Sequence, residues 1–179
     1  MTPDQIVKRA RSQIGLKTIY RLGGGNLDPS ALTVQDELRS SDCSAFACWV
    51  FGVRKYQPRF AWLVKFNGGW LNTDGMYHDA ALPVGFFERA PVAAPGMALV
   101  YPSARSVGKS NGPKIGHVAI VGSVSKSGRT LSVIHCSSGN YRDHGDAIRE
   151  TGPAAFERVS YSILVSCATV AHEVKGAAA

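Results

Sequence analysis

The run Gly116-His117-Val118-Ala119-Ile120-Val121, the turn Ser125-Lys126-Ser127-Gly128 and the run Leu131-Ser132-Val133-Ile134-His135 decide the reading of the fold. Two stretches rich in β-branched residues flank a cluster of turn formers, which is the signature of a β-hairpin. Folded about that turn, paired residues have numbers summing to about 252. His117 then stands opposite His135, Ala119 opposite Val133 and Val121 opposite Leu131. Because side chains alternate with a period of two, a register slip of two residues moves the pairing but leaves both histidines on one face.

Outward from the hairpin, Met97-Ala98-Leu99-Val100-Tyr101 after Pro95-Gly96 reads as a strand, and Ile163-Leu164-Val165-Ser166-Cys167 as a late strand. The N-terminal half has a helical texture instead. Thr2 with Gln5 forms a capping box, Pro3 suits the first helical position, and Ile6, Val7, Ala10 and Ile14 make one apolar stripe that Gly15 should end. A second helix should open at Ser41-Asp42, where either side chain can accept from the first-turn N–H groups. Phe46, Val50 and Val53 then follow at i, i+4 and i+7, with Phe51 beside them, so this helix is buried. Residues 16–41 read as irregular, with Gly23-Gly24-Gly25 and Asp28-Pro29-Ser30 as turn signals. Residues 56–95 hold no long periodic segment but many aromatics, as expected of a lid or substrate loop. Helices first and strands afterwards predict an α+β fold with an antiparallel sheet. The organisation is a single domain over 1–175, with 56–95 as an insertion and a frayed tail from Gly176 to Ala179.

Composition narrows the function classes. The chain has 179 residues, 45% apolar and 18% charged, which suits one globular domain and excludes a disordered or collagen-like chain. No apolar run approaches the ~20 residues of a membrane helix, and Met1-Thr2-Pro3-Asp4-Gln5 does not open a secretory signal. Four cysteines without paired spacing give neither a disulfide scaffold nor a zinc knuckle. The net charge of +7 points to a polyanionic environment, although the basic residues are scattered. The Gly23 stretch follows no strand and lacks the Lys-Ser/Thr of a phosphate loop, so nucleotide binding is not expected.

Cys43 stands out among the cysteines. At a helix start the backbone N–H groups and dipole favour an anion, so its thiol pKa is expected to fall. Cys48, Cys136 and Cys167 read as apolar fillers. A nucleophilic cysteine needs a base, and the base an orienting partner; His117 and His135 are placed for those roles by the hairpin count. A metal site would need a third ligand on the same face and ranks below nucleophile–base chemistry. His144 lies in a stretch, residues 140–146, whose composition is that of a turn; His78 sits in the expected lid segment of 56–95 and could meet substrate; His172 is expected in solvent.

These residues carry a resemblance. Tyr20-Arg21-Leu22-Gly23-Gly24, Asp42-Cys43-Ser44-Ala45-Phe46, Pro95-Gly96-Met97-Ala98-Leu99-Val100, Gly116-His117-Val118-Ala119-Ile120-Val121 and Ile134-His135 together resemble the NlpC family of papain-like cysteine peptidases, which cleave peptidoglycan stem peptides. The resemblance implies a papain-like fold in which N-terminal helices pack on an antiparallel sheet and the nucleophile opens a helix. It implies Cys43 as nucleophile, His117 as general base and His135 as the orienting residue. Tyr20 would help the oxyanion, and Asp42 and Ser44 would shape a pocket for the free amine end of the stem peptide. Ala45 stands where the family usually has Gly, and Leu22 where it often has Trp.

The expected function is therefore a cysteine amidohydrolase of the cell wall, without cofactor or metal. Its partner is a peptidoglycan stem peptide, and a cognate immunity or inhibitor protein is compatible with such an effector. Nucleic acid and membrane spans are not expected, and the chain reads as a monomer. Lack of a signal resembles phage lysins or effectors made in the cytoplasm and delivered to the wall by phage or a secretion machine. An acyltransferase or deamidase could use the same Cys–His site on a protein substrate, and a non-catalytic wall-binding module is the rival of another class.

Overall fold

A computed structural model describes residues 1–83 and 85–168. The expected frayed tail from Gly176 to Ala179, and His172, lie outside the described residues. Pro3–Arg11 forms α1, Ile19–Tyr20 β1, Ser40–Ser41 β2, Cys43–Phe51 α2, Ala61–Asn67 α3, Thr73–Asp79 α4, Phe87–Arg89 β3 and Ala98–Tyr101 β4. A 3₁₀ turn, Ala104–Val107, leads into β5 (His117–Val124) and β6 (Thr130–Cys136). Then come α5 (Ser138–His144), β7 (Ile148–Thr151), α6 (Ala154–Glu157) and β8 (Ile163–Cys167). The fold is α+β: six strands form one antiparallel sheet in the order β3-β8-β4-β5-β6-β7.

The sheet is covered on both faces, and alternation along its strands assigns each side chain. Val118 and Ile120 of β5, Ile134 and Cys136 of β6 and Val100 of β4 join Ile6, Val7 and Ala10 of α1 and Phe46 and Val50 of α2 in the main core. The intervening residues Ala119 and Val133 pack on Phe156 of α6, with Leu99 and Tyr101 at its edge. All nine residues of α2 are buried. A fully buried side chain such as Phe46 contributes roughly 2–3 kcal/mol, so α2 is held by packing rather than by charge on an exposed face.

The hairpin forms with a register two residues from the sequence count. Ile120 pairs with Ile134 and Val121 with Val133, which places Ala119, not His117, opposite His135. The loop is the cause. Ser125 N–H donates to the Arg129 carbonyl at 2.8 Å, closing a three-residue turn in which Gly128 takes φ +78°; this hairpin type needs a residue in the left-handed region at that place. A bulge around Ser123 interrupts the ladder without changing the register beyond it.

Other elements also depart from the sequence reading. The capping box at Thr2 forms, but α1 stops at Arg11 rather than at Gly15. Beyond it the buried Asp146 carboxylate accepts from Gly15 N–H at 2.7 Å and Thr18 N–H at 3.1 Å, which draws the backbone out of the helix. Residues 16–41, expected to be irregular, hold the short parallel pair of β1 and β2, with Tyr20 beside Ser41. Residues 56–95 contain α3, α4 and β3, and their Leu63, Leu71, Met76 and Phe87 are fully buried in the core. The supposed turn at 140–146 is mostly α5, capped by Ser137, whose side chain accepts from Asn140 N–H at 3.1 Å.

Candidate active site

Asp42 caps α2, and Cys43 is the first residue of that helix. The Asp42 Oδ1 accepts from Ala45 N–H at 2.7 Å and from the Ser44 hydroxyl at 2.9 Å. Its Oδ2 accepts from Gly23 N–H at 2.9 Å and from Lys55 Nζ at 2.7 Å. The Lys55–Asp42 ion pair is buried, with side-chain exposures of 6% and 5%. One carboxylate thus ties the helix start, the glycine loop and the chain beyond α2 together. Gly25, at φ +112°, completes the junction: a Cβ there would collide with the Ala45 methyl and come within 3.1 Å of Ser41 Oγ. Ala45 is accommodated because position 25 has no side chain.

Cys43 is only 4% exposed. Burial pushes its thiol up to about 12, and the Asp42 charge adds to the rise. The Val118 and Ser44 N–H groups and the Lys55 ammonium pull the other way but do not win. This corrects the expectation that the helix N-terminus lowers the Cys43 pKa: desolvation outweighs the dipole when the sulfur lies this deep.

His117 opens β5, immediately before Val118, whose N–H favours the Cys43 sulfur. The His117 Nε2 and His135 Nδ1 lie 2.8 Å apart. His135 Nε2 lies 3.0 Å from Thr151 Oγ1, and the Thr151 hydroxyl donates to the Gly152 carbonyl at 3.1 Å. These contacts fix the protons. A carbonyl can only accept, so Thr151 spends its one proton on Gly152 and accepts from His135 Nε2–H. His135 Nδ1 is then an acceptor, and His117 Nε2 carries the hydrogen. The His117 Nδ1 lone pair is left free to take a proton. Phe156 stacks on His117 with centroids 5.4 Å apart and planes at 21°. Burial lowers His117 to about 3, with His135 a smaller cause, and burial lowers His135 to about 4. Thiol and imidazoles are therefore all neutral at rest.

Two clefts meet at this place. The larger, about 550 Å³, is lined by Cys43, Ser44, Asp42 and Lys55, with Trp70 and Asp74 among its walls. The smaller, about 380 Å³, is lined by Tyr20, Tyr101, His117 and His135, with Ser137 and Ser138. They share Leu22, Ile115 and Gly116. Gly116 has no room for a side chain, since a Cβ would meet Thr73 Oγ1 and lie 2.5 Å from the Tyr101 carbonyl. Tyr20 is carried to the site by its pairing with Ser41, and burial and the neighbouring Cys43 raise its phenol, which stays a hydrogen-bond donor.

The structure thus gathers Cys43, His117, His135, Tyr20, Asp42 and Ser44 around one pair of clefts. His78 is instead bonded to Ser106 at 2.9 Å, and His144 ends α5 on the surface. All four cysteines are buried and outside any disulfide; Cys48 and Cys136 donate to the carbonyls of Leu71 and Ser41. Among the described residues no group of three or more His, Cys, Asp or Glu is arranged to hold a metal ion. Nor is any helix among them long and apolar enough to cross a membrane. Sequence reasoning missed Thr151, Phe156 and Lys55. The first two lie on β7 and α6, elements too short for periodicity to signal, and Lys55 meets Asp42 only through the fold. No protein-family model matches the chain, and no curated protein matches it.

Proposed function

We propose that this protein is a papain-like cysteine amidohydrolase that cleaves an amide bond in peptidoglycan stem peptides, acting on the cell wall after delivery. The observation that carries the reading is the ordered row Thr151–His135–His117, which leaves His117 Nδ1 unprotonated one residue from the Val118 N–H that favours the Cys43 sulfur. As substrate binds, the Cys43 S–H gives its proton to His117 Nδ1, and the sulfur attacks the amide carbonyl. The oxyanion is met by the Cys43 backbone N–H, at the start of α2, and by the Tyr20 hydroxyl. The imidazolium then protonates the departing amine, the C–N bond breaks and a thioester remains. Water, deprotonated by His117, releases the acid and restores the thiol. The net charge of +7 favours residence near an anionic wall.

The test is digestion of purified peptidoglycan followed by mass spectrometry of the released muropeptides. New fragments with free amines are expected from the wild type and none from Cys43→Ala. Equal release by both proteins would sink the reading.

A further inference from the structure

The larger cleft contains charges that the amide chemistry does not use, and they bear on what part of a substrate enters it. The resemblance gives Asp42 and Ser44 to a free amine. The hydrogen bonds leave no place for one. Asp42 accepts four bonds, two at each oxygen, from Ala45, Ser44, Gly23 and Lys55, and four is the capacity of a carboxylate. The place beside Asp42 that a substrate ammonium would take is already filled by the Lys55 ammonium.

Lys55 is in the opposite condition. It is 5% exposed, it lines the cleft, and one of its three N–H groups is taken by Asp42. Two donors on a desolvated ammonium remain for whatever fills the space, and leaving them unmet is costly. Lys114 adds a second cation at the exposed rim. The remaining acid of the cleft, Asp74, is turned to Ser103, accepting from its N–H at 2.7 Å and its hydroxyl at 2.9 Å. An incoming amine would meet the Lys55 cation beside the reacting sulfur, whereas a carboxylate would complete its hydrogen bonds.

We infer that the subsite beside Cys43 recognises a carboxylate of an acidic peptide through Lys55, with Lys114 at its entrance, and does not select a free amino terminus. This inference rests on the amidohydrolase reading for its substrate, but it can fail separately. A synthetic stem tetrapeptide in four forms, amino end free or acetylated and carboxylates free or amidated, is the probe. With the wild type, amidation should raise KM about tenfold or more, while acetylation should change it less than about twofold. Lys114→Ala should weaken the carboxylate peptide more than the amidated one, with the gap closing as salt is raised. Loss of turnover on acetylation with indifference to amidation would overturn the subsite and leave the hydrolase intact. Binding of the same four peptides to Cys43→Ala, measured by calorimetry, decides the subsite even if no form is cleaved. Tighter binding of the carboxylate form supports it, and equal affinity or no binding refutes it.

Discussion

The two walls of the site solve the same problem, polar groups out of water, by opposite means. On the sheet side, His117, His135 and Thr151 are neutral and pass one hydrogen bond to the next. On the helix side, Asp42 and Lys55 are paired as full charges, with the carboxylate saturated. The neutral row is set by strand register and has one lone pair to give. The charged pair is set by a cap and a loop and holds the chain together. On the proposed reading, proton transfer belongs to the first wall, and architecture with ligand selection to the second. The buried cost of a charge explains the division: a group that must change protonation state during turnover is less expensive to hold neutral.

The largest effect expected is on turnover, where the two walls meet. Cys43→Ala and His117→Ala should each lower kcat for muropeptide release by about a thousandfold or more, and the double variant should be no worse, since the two act as a unit. Cys48→Ala should keep its activity. A residual rate in His117→Ala near that of the wild type would dissolve the contrast between the walls.

Breaking the second wall should show in stability first. Lys55→Met leaves the Asp42 carboxylate buried without its counter-charge, a loss of about 3–5 kcal/mol in denaturant unfolding. Adding Asp42→Asn keeps a capping side chain and removes the charge, so it should recover part of that loss. If Lys55→Met unfolds like the wild type, the pair is not what holds the junction.

Acid should separate the walls next. The imidazoles of His117 and His135 titrate near 6.5 in an unfolded chain and near 3 and 4 in the folded one. Between those values the unfolded chain binds more protons, so stability is full above pH 6.5 and falls as the pH drops toward 4, by about 2 kcal/mol per imidazole at pH 5. His135→Gln should flatten this slope in a pH series of urea melts; an unchanged slope would place the acid sensitivity elsewhere. Cys43 gives the alkaline counterpart. Its alkylation by iodoacetamide should keep accelerating above pH 9, whereas a plateau below pH 7 would mean a resting ion pair with His117.

The smallest effect is at the end of the row. Thr151→Val removes the acceptor that holds the His135 proton and should cost about 1 kcal/mol in kcat, roughly fivefold, with KM unchanged. A matching rise in KM would assign Thr151 to substrate binding.

What the sequence disclosed follows the same division. The α+β order, both helix caps and the shared face of the two histidines were readable because period and turn chemistry are local. The register missed by two because the count centred the loop on Lys126, whereas the three-residue loop that Gly128 closes is centred on Ser127. Lys55 and Thr151 were illegible for a different reason. Neither stands in any spacing relation to its partner, since Lys55 reaches Asp42 around the end of α2, and Thr151 reaches His135 only after β7 pairs with β6. The direction of the Cys43 shift also needed the fold. A helix N-terminus is visible in sequence, whereas the 4% exposure that overrides it is not.

The depth of Cys43 has a consequence outside its chemistry with amides. Peroxide and disulfides react with the thiolate, and a thiol held protonated by its surroundings presents almost none. A thiol held this way should react with peroxide slowly at neutral pH and faster as the pH rises toward its own titration.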